Sequence, residues 1–163
     1  MTAITVLGIL LGLGVPAFNE IVRNNRVAAQ ANDLVLALNL TRSEATKRGM
    51  PVSICAASSA AQTACGDSDQ DDWKFGWLVF SDRTGTAGVI DADDELLQTS
   101  RIVSEGLHLT SDTGFARFAA DGSLVEPVSA TFTLQHVKCT GNNRREISVS
   151  STGRANLAKE ACE

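Results

Sequence analysis

The chain begins MTAITVLGILLGLGVPAF, and the sixteen residues from Ala3 to Phe18 carry no charge. Asn19, Glu20 and Arg23 follow at once. As a helix the run measures roughly 24 Å at about 1.5 Å per residue. A bilayer's hydrocarbon core is about 30 Å thick and takes about 20 apolar residues to span. The stretch is a few residues short of that. Three structures accommodate it: a buried core helix, a cleaved signal peptide, or a membrane helix that begins upstream of Met1. A signal peptide needs a basic region before its apolar one and small residues at its cut site. Nothing basic precedes Ala3, and Pro16-Ala17-Phe18 is a poor cut site. The membrane helix fits best, with its first residues encoded upstream of Met1.

The helical pattern continues past Pro16. Phe18, Val22, Val27, Ala31, Leu34 and Leu38 recur at spacings of three to five, and Ala45 follows two turns later, the rhythm of one helix face. Asn24, Asn25, Gln30 and Asn39 fall largely off that stripe. Arg42, Lys47 and Arg48 come late, where positive charge suits the helix dipole. Gly49 stops the helix and Pro51 forbids its resumption. Gly12, Gly14 and Pro16 mark a weak point in its apolar part. Gly8 and Gly12 are spaced as a helix-packing face.

From Pro51 the period changes to two. VSICAAS reads as a strand, SSAAQTACGDSDQDD as a polar loop, and WKFGWLVFSD as a strand whose internal glycine predicts a bulge. LLQTSRIV, LHLT and FARFAADGSL follow as short strands, the last with an Asp121-Gly122 turn. TFTLQHV alternates, and REISVSSTGRANL gives a final strand with a turn at Gly153. One helix followed by about seven strands predicts an α+β fold, a long N-terminal helix packed on an antiparallel β-rich head. Three segments follow: 1–22 greasy, 23–50 amphipathic, 51–163 head.

The net charge of −5 is uneven. Residues 51–137 carry four basic and thirteen acidic side chains, whereas 138–163 carry five basic and three acidic. An acidic chain disfavours non-specific nucleic-acid binding, while the tail leaves room for a small basic patch around Arg144, Arg145 and Arg154. Cys55, Cys65, Cys139 and Cys162 allow three disulfide connectivities. The sequential one would close two modest loops, each contributing about 3 kcal/mol in the chain-entropy model. Neither C-x-x-C nor finger spacing to His108 or His136 is present, so no metal or cofactor is expected. Asp67, Asp69 and Asp71 have the first spacings of an EF-hand, but Asp72 and Leu78 stand where it needs glycine and glutamate. The DADDE cluster reads as a solvated loop. There is no G-x-S-x-G and no HExxH. His136 shares a strand face with Phe132 and Leu134 and reads as a half-buried, hydrogen-bonded residue, and His108 as solvent-facing. No catalytic residue is expected.

The order of these pieces resembles the GspH/FimT/FimU family of type IV minor pilins and type II secretion pseudopilins. The resemblance rests on the greasy helix with its proline, LTRSEATKRG, the string W-x-x-G-W-x-V-F-x-D at Trp73–Asp82, DDELL, FAADGSL, TFTLQ and SSTGRA. It implies a basic leader cut after glycine and a mature start of the form F-T-L-I-E-L, both upstream of Met1. It implies that Ile4, Val6, Leu7, Ile9, Leu10, Leu11, Leu13, Val15, Pro16 and Phe18 lie first in the inner membrane. They then pack against other minor and major pilins in a filament. The head would sit in the periplasm, and then in an extracellular pilus or a periplasmic pseudopilus. A Cys139–Cys162 bridge fits such a head. The leading role is priming of a type IV pilus, with a place near its tip. The alternatives are a secretion pseudopilin and a DNA-binding pilin. In the last, a G-R-x-R string contacts DNA; here it is Gly153-Arg154-Ala155-Asn156, and Arg144 and Arg145 are the residues that would compensate.

Overall fold

A computed structural model describes residues 2–67 and 72–162, with side chains from Phe18 onward. Helix α1 runs unbroken over Thr2–Arg48, through Gly12, Gly14 and Pro16. Gly49 ends it with φ of 65°. Its N–H and that of Met50 both donate to the Ala45 carbonyl, at 3.0 and 3.3 Å, so one acceptor of the last turn is satisfied twice over.

The buried stripe of α1 is Val27, Ala31, Leu34, Ala37, Leu38 and Ala45, joined by Gln30 and Thr41. Thr41 belongs there because its hydroxyl donates back to the Ala37 carbonyl at 2.7 Å. Two sequence expectations need correction. Gln30 is only 8% exposed, on the packed face. Phe18 is 66% exposed and lies below the packed stripe. The first described helix residue bonded to the head is Glu20, which accepts from the Thr140 hydroxyl at 2.8 Å.

Nine strands follow: β1 Val52–Ala56, β2 Trp77–Ser81, β3 Leu96–Thr99, β4 Leu107–Ser111, β5 Phe115–Phe118, β6 Leu124–Glu126, β7 Ala130–His136, β8 Arg144–Val149 and β9 Ala155–Glu160. They form two sheets, ordered β3-β2-β1-β5-β6 and β4-β7-β8-β9, with every pairing antiparallel. The stretches expected to give single strands before and after TFTLQHV each fold as a hairpin about a glycine turn. Gly76 makes no bulge. It closes a turn by donating to the Trp73 carbonyl at 2.9 Å. A Cβ on it would lie 2.6 Å from the Arg101 carbonyl oxygen.

The sheets meet α1 differently. In the second sheet β4, β7 and β8 alternate between buried and more exposed residues, so only one face enters the core. In the first sheet β1 and β2 are buried throughout. Val52, Ile54, Ala56, Trp77 and Val79 face the helix core. Cys55, Ala57, Leu78 and Phe80 form an outer core with Cys65, Phe75, Ile90 and Phe115. The Cys55–Cys65 disulfide and the loop before β3 cover that outer face. Trp73 joins the sheets. Its backbone N–H donates to Leu109 at 2.9 Å, its Nε1 to the Thr113 carbonyl at 3.1 Å, and its ring stands edge-on to Phe132 with centroids 4.9 Å apart.

At the end of β2 the carboxylate of Asp82 is fully buried. Its Oδ2 accepts from the Ser53 hydroxyl at 2.6 Å and from the Gly88 N–H at 3.0 Å. Arg117 Nε lies 3.4 Å from the same oxygen, and Arg117 Nη2 donates to the Asp82 carbonyl at 2.9 Å. One anion thus ties β1, β2, β5 and the following loop together. Asp82→Asn should cost about 3 kcal/mol, the low end for a buried pair because Arg117 keeps some water. Leu34→Ala should cost about 2–5 kcal/mol through the cavity it leaves in the shared core. Urea unfolding of each variant measures both.

Candidate functional site

Ile4, Val6, Leu7, Ile9, Leu10, Leu11, Leu13, Val15 and Pro16 have helical backbone within α1, and their side chains lie outside the described residues. Among the described residues no helix is long and apolar enough to cross a membrane. Phe18 and Ile21, at 66% and 57% exposed, form the apolar end of the described helix surface.

Above them the helix is tied to the base of the second sheet. Arg145 on β8 is 9% exposed. Its Nη2 donates to Asn24 Oδ1 at 2.9 Å and its Nη1 to the Arg144 carbonyl at 3.2 Å. The Cys139–Cys162 disulfide, with Cα atoms 5.7 Å apart, closes this end, and the Cys162 N–H donates to the Gly141 carbonyl at 2.9 Å. His136 is half-buried at the end of β7, with Nδ1 accepting from the Lys138 N–H at 2.9 Å. Burial, then the charges of Arg23, Lys138 and Arg26, lowers its pKa below the usual histidine value. His108 is exposed.

The three arginines considered for DNA are not brought together. Arg144 and Arg145 begin β8, opposite Glu160 and Lys159 of β9. Arg154 is exposed in the turn beyond the other end of the β8–β9 hairpin, about 17 Å away along the strand. Its neighbour Gly153 has a structural task. Its φ is 74°, and a Cβ there would sit 2.0 Å from the Gly122 carbonyl oxygen. Arg42 Nε of α1 donates to that same carbonyl at 3.0 Å. The FAADGSL and SSTGRA strings, one from each sheet, therefore meet backbone to backbone against the helix.

Of the acidic residues, Asp69 and Asp71 lie outside the described residues. Asp94 Oδ2 accepts from the Asp91 N–H at 3.0 Å and its Oδ1 from the Arg83 N–H at 3.2 Å, so DADDE is a self-capped turn. Among the described residues no group of three such side chains could hold a metal ion. Near the top of the helix Arg48 pairs with Glu44 at 2.7 Å and also with Glu95 of the DDELL string. The bond to Arg48 holds the Glu44 pKa down.

Sequence reasoning missed two surfaces. A groove of about 590 Å³ runs between α1 and the edge strand β3, lined by Asp33, Leu36, Leu40, Trp77, Gln98 and Arg101 among others. The other is the cationic corner of Arg23, Arg26 and Lys138, whose charges converge on His136. Nothing local in the sequence places Lys138 beside Arg23 and Arg26.

Known proteins share this arrangement. The profile of type II transport protein GspH matches residues 30–153. No curated protein sequence matches the chain. The crystal structure of the type IV minor pilin FimU of Pseudomonas aeruginosa superposes with a TM-score of 0.63 at 25% identity, covering 82% of this chain and 89% of that one. The minor pseudopilin EpsH of the type 2 secretion system of Vibrio cholerae shares the fold, with a TM-score of 0.52 at 14% identity over 82% of this chain and 97% of that one. The profile covers the helix stripe from Gln30 onward, strands β1 to β8 and Gly153 at the seam, and so the chain belongs to the GspH family of minor pilins and pseudopilins.

Proposed function

We propose that this minor pilin helps to prime assembly of a type IV pilus, its head placed near the tip. The observation that carries the reading is the match to FimU, at 25% identity over 82% of the chain. Proteins of this family assemble with other pilins or pseudopilins, and no enzyme chemistry is involved. Residues 1–22 supply the anchor and filament helix, 23–50 continue it as an amphipathic helix, and 51–163 form the head. The apolar run Ala3–Phe18 precedes the first described helix-to-head bond, at Glu20. Before assembly it sits in the inner membrane with the head in the periplasm, where disulfides persist. On assembly it leaves lipid for the helices of neighbouring subunits. Gly12, Gly14 and Pro16 weaken backbone bonding there and let the helix loosen as it packs.

Cells deleted for the gene should lose surface pili and regain them with a full-length copy, counted by electron microscopy. Pili that persist while protein secretion falls would reassign the chain to a secretion pseudopilus. Persistence of both, with loss of DNA uptake, would favour the DNA reading, in which case Arg154→Gln should reproduce the uptake defect. Leu10→Arg should weaken membrane insertion by about 3–4 kcal/mol, seen as loss of the chain from the membrane fraction and from pili.

A further inference from the structure

We propose that the base of the head is a docking surface for anionic phospholipid headgroups, built from Arg23 and Arg26 of α1 and Lys138 after β7, backed by the buried cation of Arg145. The proposal rests on the reading of residues 1–22 as the membrane anchor. It adds a second contact to that anchor, made by the head itself.

The chain is acidic overall, with a net charge of −5, yet this corner is cationic. Arg23, Asn24, His136, Lys138 and Thr140 line one small depression with Glu20. Among the described residues no carboxylate reaches ion-pair distance of Arg23, Arg26, Lys138 or Arg145. Glu20, the carboxylate lining the depression, is hydrogen-bonded to the Thr140 hydroxyl. Arg145 is the most constrained of the four, being 9% exposed with only the neutral oxygens of Asn24 and Arg144 as described partners. Neutral acceptors return only part of the hydration energy of a guanidinium taken out of water, and a counter-charge returns more. Among the described residues none stands here, so the corner is poised for an external anion. Its positive field is already felt by His136, whose proton affinity is lowered by burial first and then by Arg23, Lys138 and Arg26.

Position along the helix selects lipid over other anions. Phe18 and Ile21 are exposed and precede the cations. Arg23 lies roughly 7.5 Å and Arg26 roughly 12 Å along the axis from Phe18. The polar headgroup layer on each side of the hydrocarbon core is about 5–8 Å thick. Arginine extends its charged end well beyond its Cα, so both reach phosphate when Phe18 sits at the hydrocarbon boundary. Exposed apolar residues followed by cations at headgroup height mark a segment made for a membrane interface. Lys138 comes to the same level from the head.

The test uses the full chain in nanodiscs of phosphatidylcholine, with and without phosphatidylglycerol, at low salt. The ring resonances of His108 and His136, the only histidines, are followed through pH by NMR. Retention of the chain in both kinds of disc reports the anchor alone. Phosphatidylglycerol should raise the His136 midpoint by about half a unit or more, the scale of a surface potential near −30 mV. His108 should move less. In the Arg23→Gln, Arg26→Gln, Lys138→Gln variant the two histidines should move alike. Lys138→Gln alone, at an exposed position, should already reduce the difference and guards against a folding defect. Equal movement of both histidines in the unmodified protein would overturn the proposal while leaving the anchor intact. A short DNA duplex that raises His136 where phosphatidylglycerol does not would assign the corner to nucleic acid and overturn it too. Loss of the chain from both discs would overturn the anchor reading and this one with it.

Discussion

Both sheets close on one stripe of one helix. Ala31, Leu34 and Leu38 share a core with Ile54 and Val79 of the first sheet and with Phe132 and Ile147 of the second. Neither sheet buries its inner face without that stripe, since a half-buried sheet needs a second layer. The helix is therefore the common wall of the domain, and its small residues Ala31, Ala37 and Ala45 let strands approach closely. The same helix carries the apolar run. Whatever force acts on that run is transmitted directly to the wall on which the head is built.

The polar ties sit where the apolar wall stops. At the top Arg42 and Arg48 bridge the helix to Gly122 and Glu95. At the base Glu20 and Asn24 reach Thr140 and Arg145. These bonds fix the rotation of the helix against the head, which burial alone, being non-directional, leaves loose. Asp82 does the equivalent work inside the first sheet.

The parts governed by local rules were legible in the sequence. The helix end at Gly49, the alternating strand TFTLQHV and the Asp121-Gly122 turn follow from capping, period and turn chemistry. What was hidden depends on partners distant in sequence. Gln30 is buried because the stripe is wider than its aliphatic residues. Gly76 breaks no strand because Trp73 is fixed by the second sheet before β2 begins. Arg117 gave no signal of its bond to Asp82, 35 residues earlier. The basic tail read as one patch in one dimension, but the β8–β9 hairpin puts Arg154 and Arg144 at opposite ends. Arg145 faces inward because strand alternation puts it on the side of Ile147 and Val149.

The seam at Gly122 and Gly153 has a further consequence. There the two sheets touch through main chain, with the helix's Arg42 sharing the same carbonyl. Main-chain atoms are the same in every sequence. The relative pose of the sheets at that end is thus set by two bare backbone turns, while the side chains between the sheets set how well the interior is filled. Inner-face residues of either sheet can then exchange for others of similar volume without shifting one sheet against the other, whereas any side chain added at Gly153 wedges the halves apart. Divergence of the interior and constancy of the scaffold are compatible here because different atoms carry them.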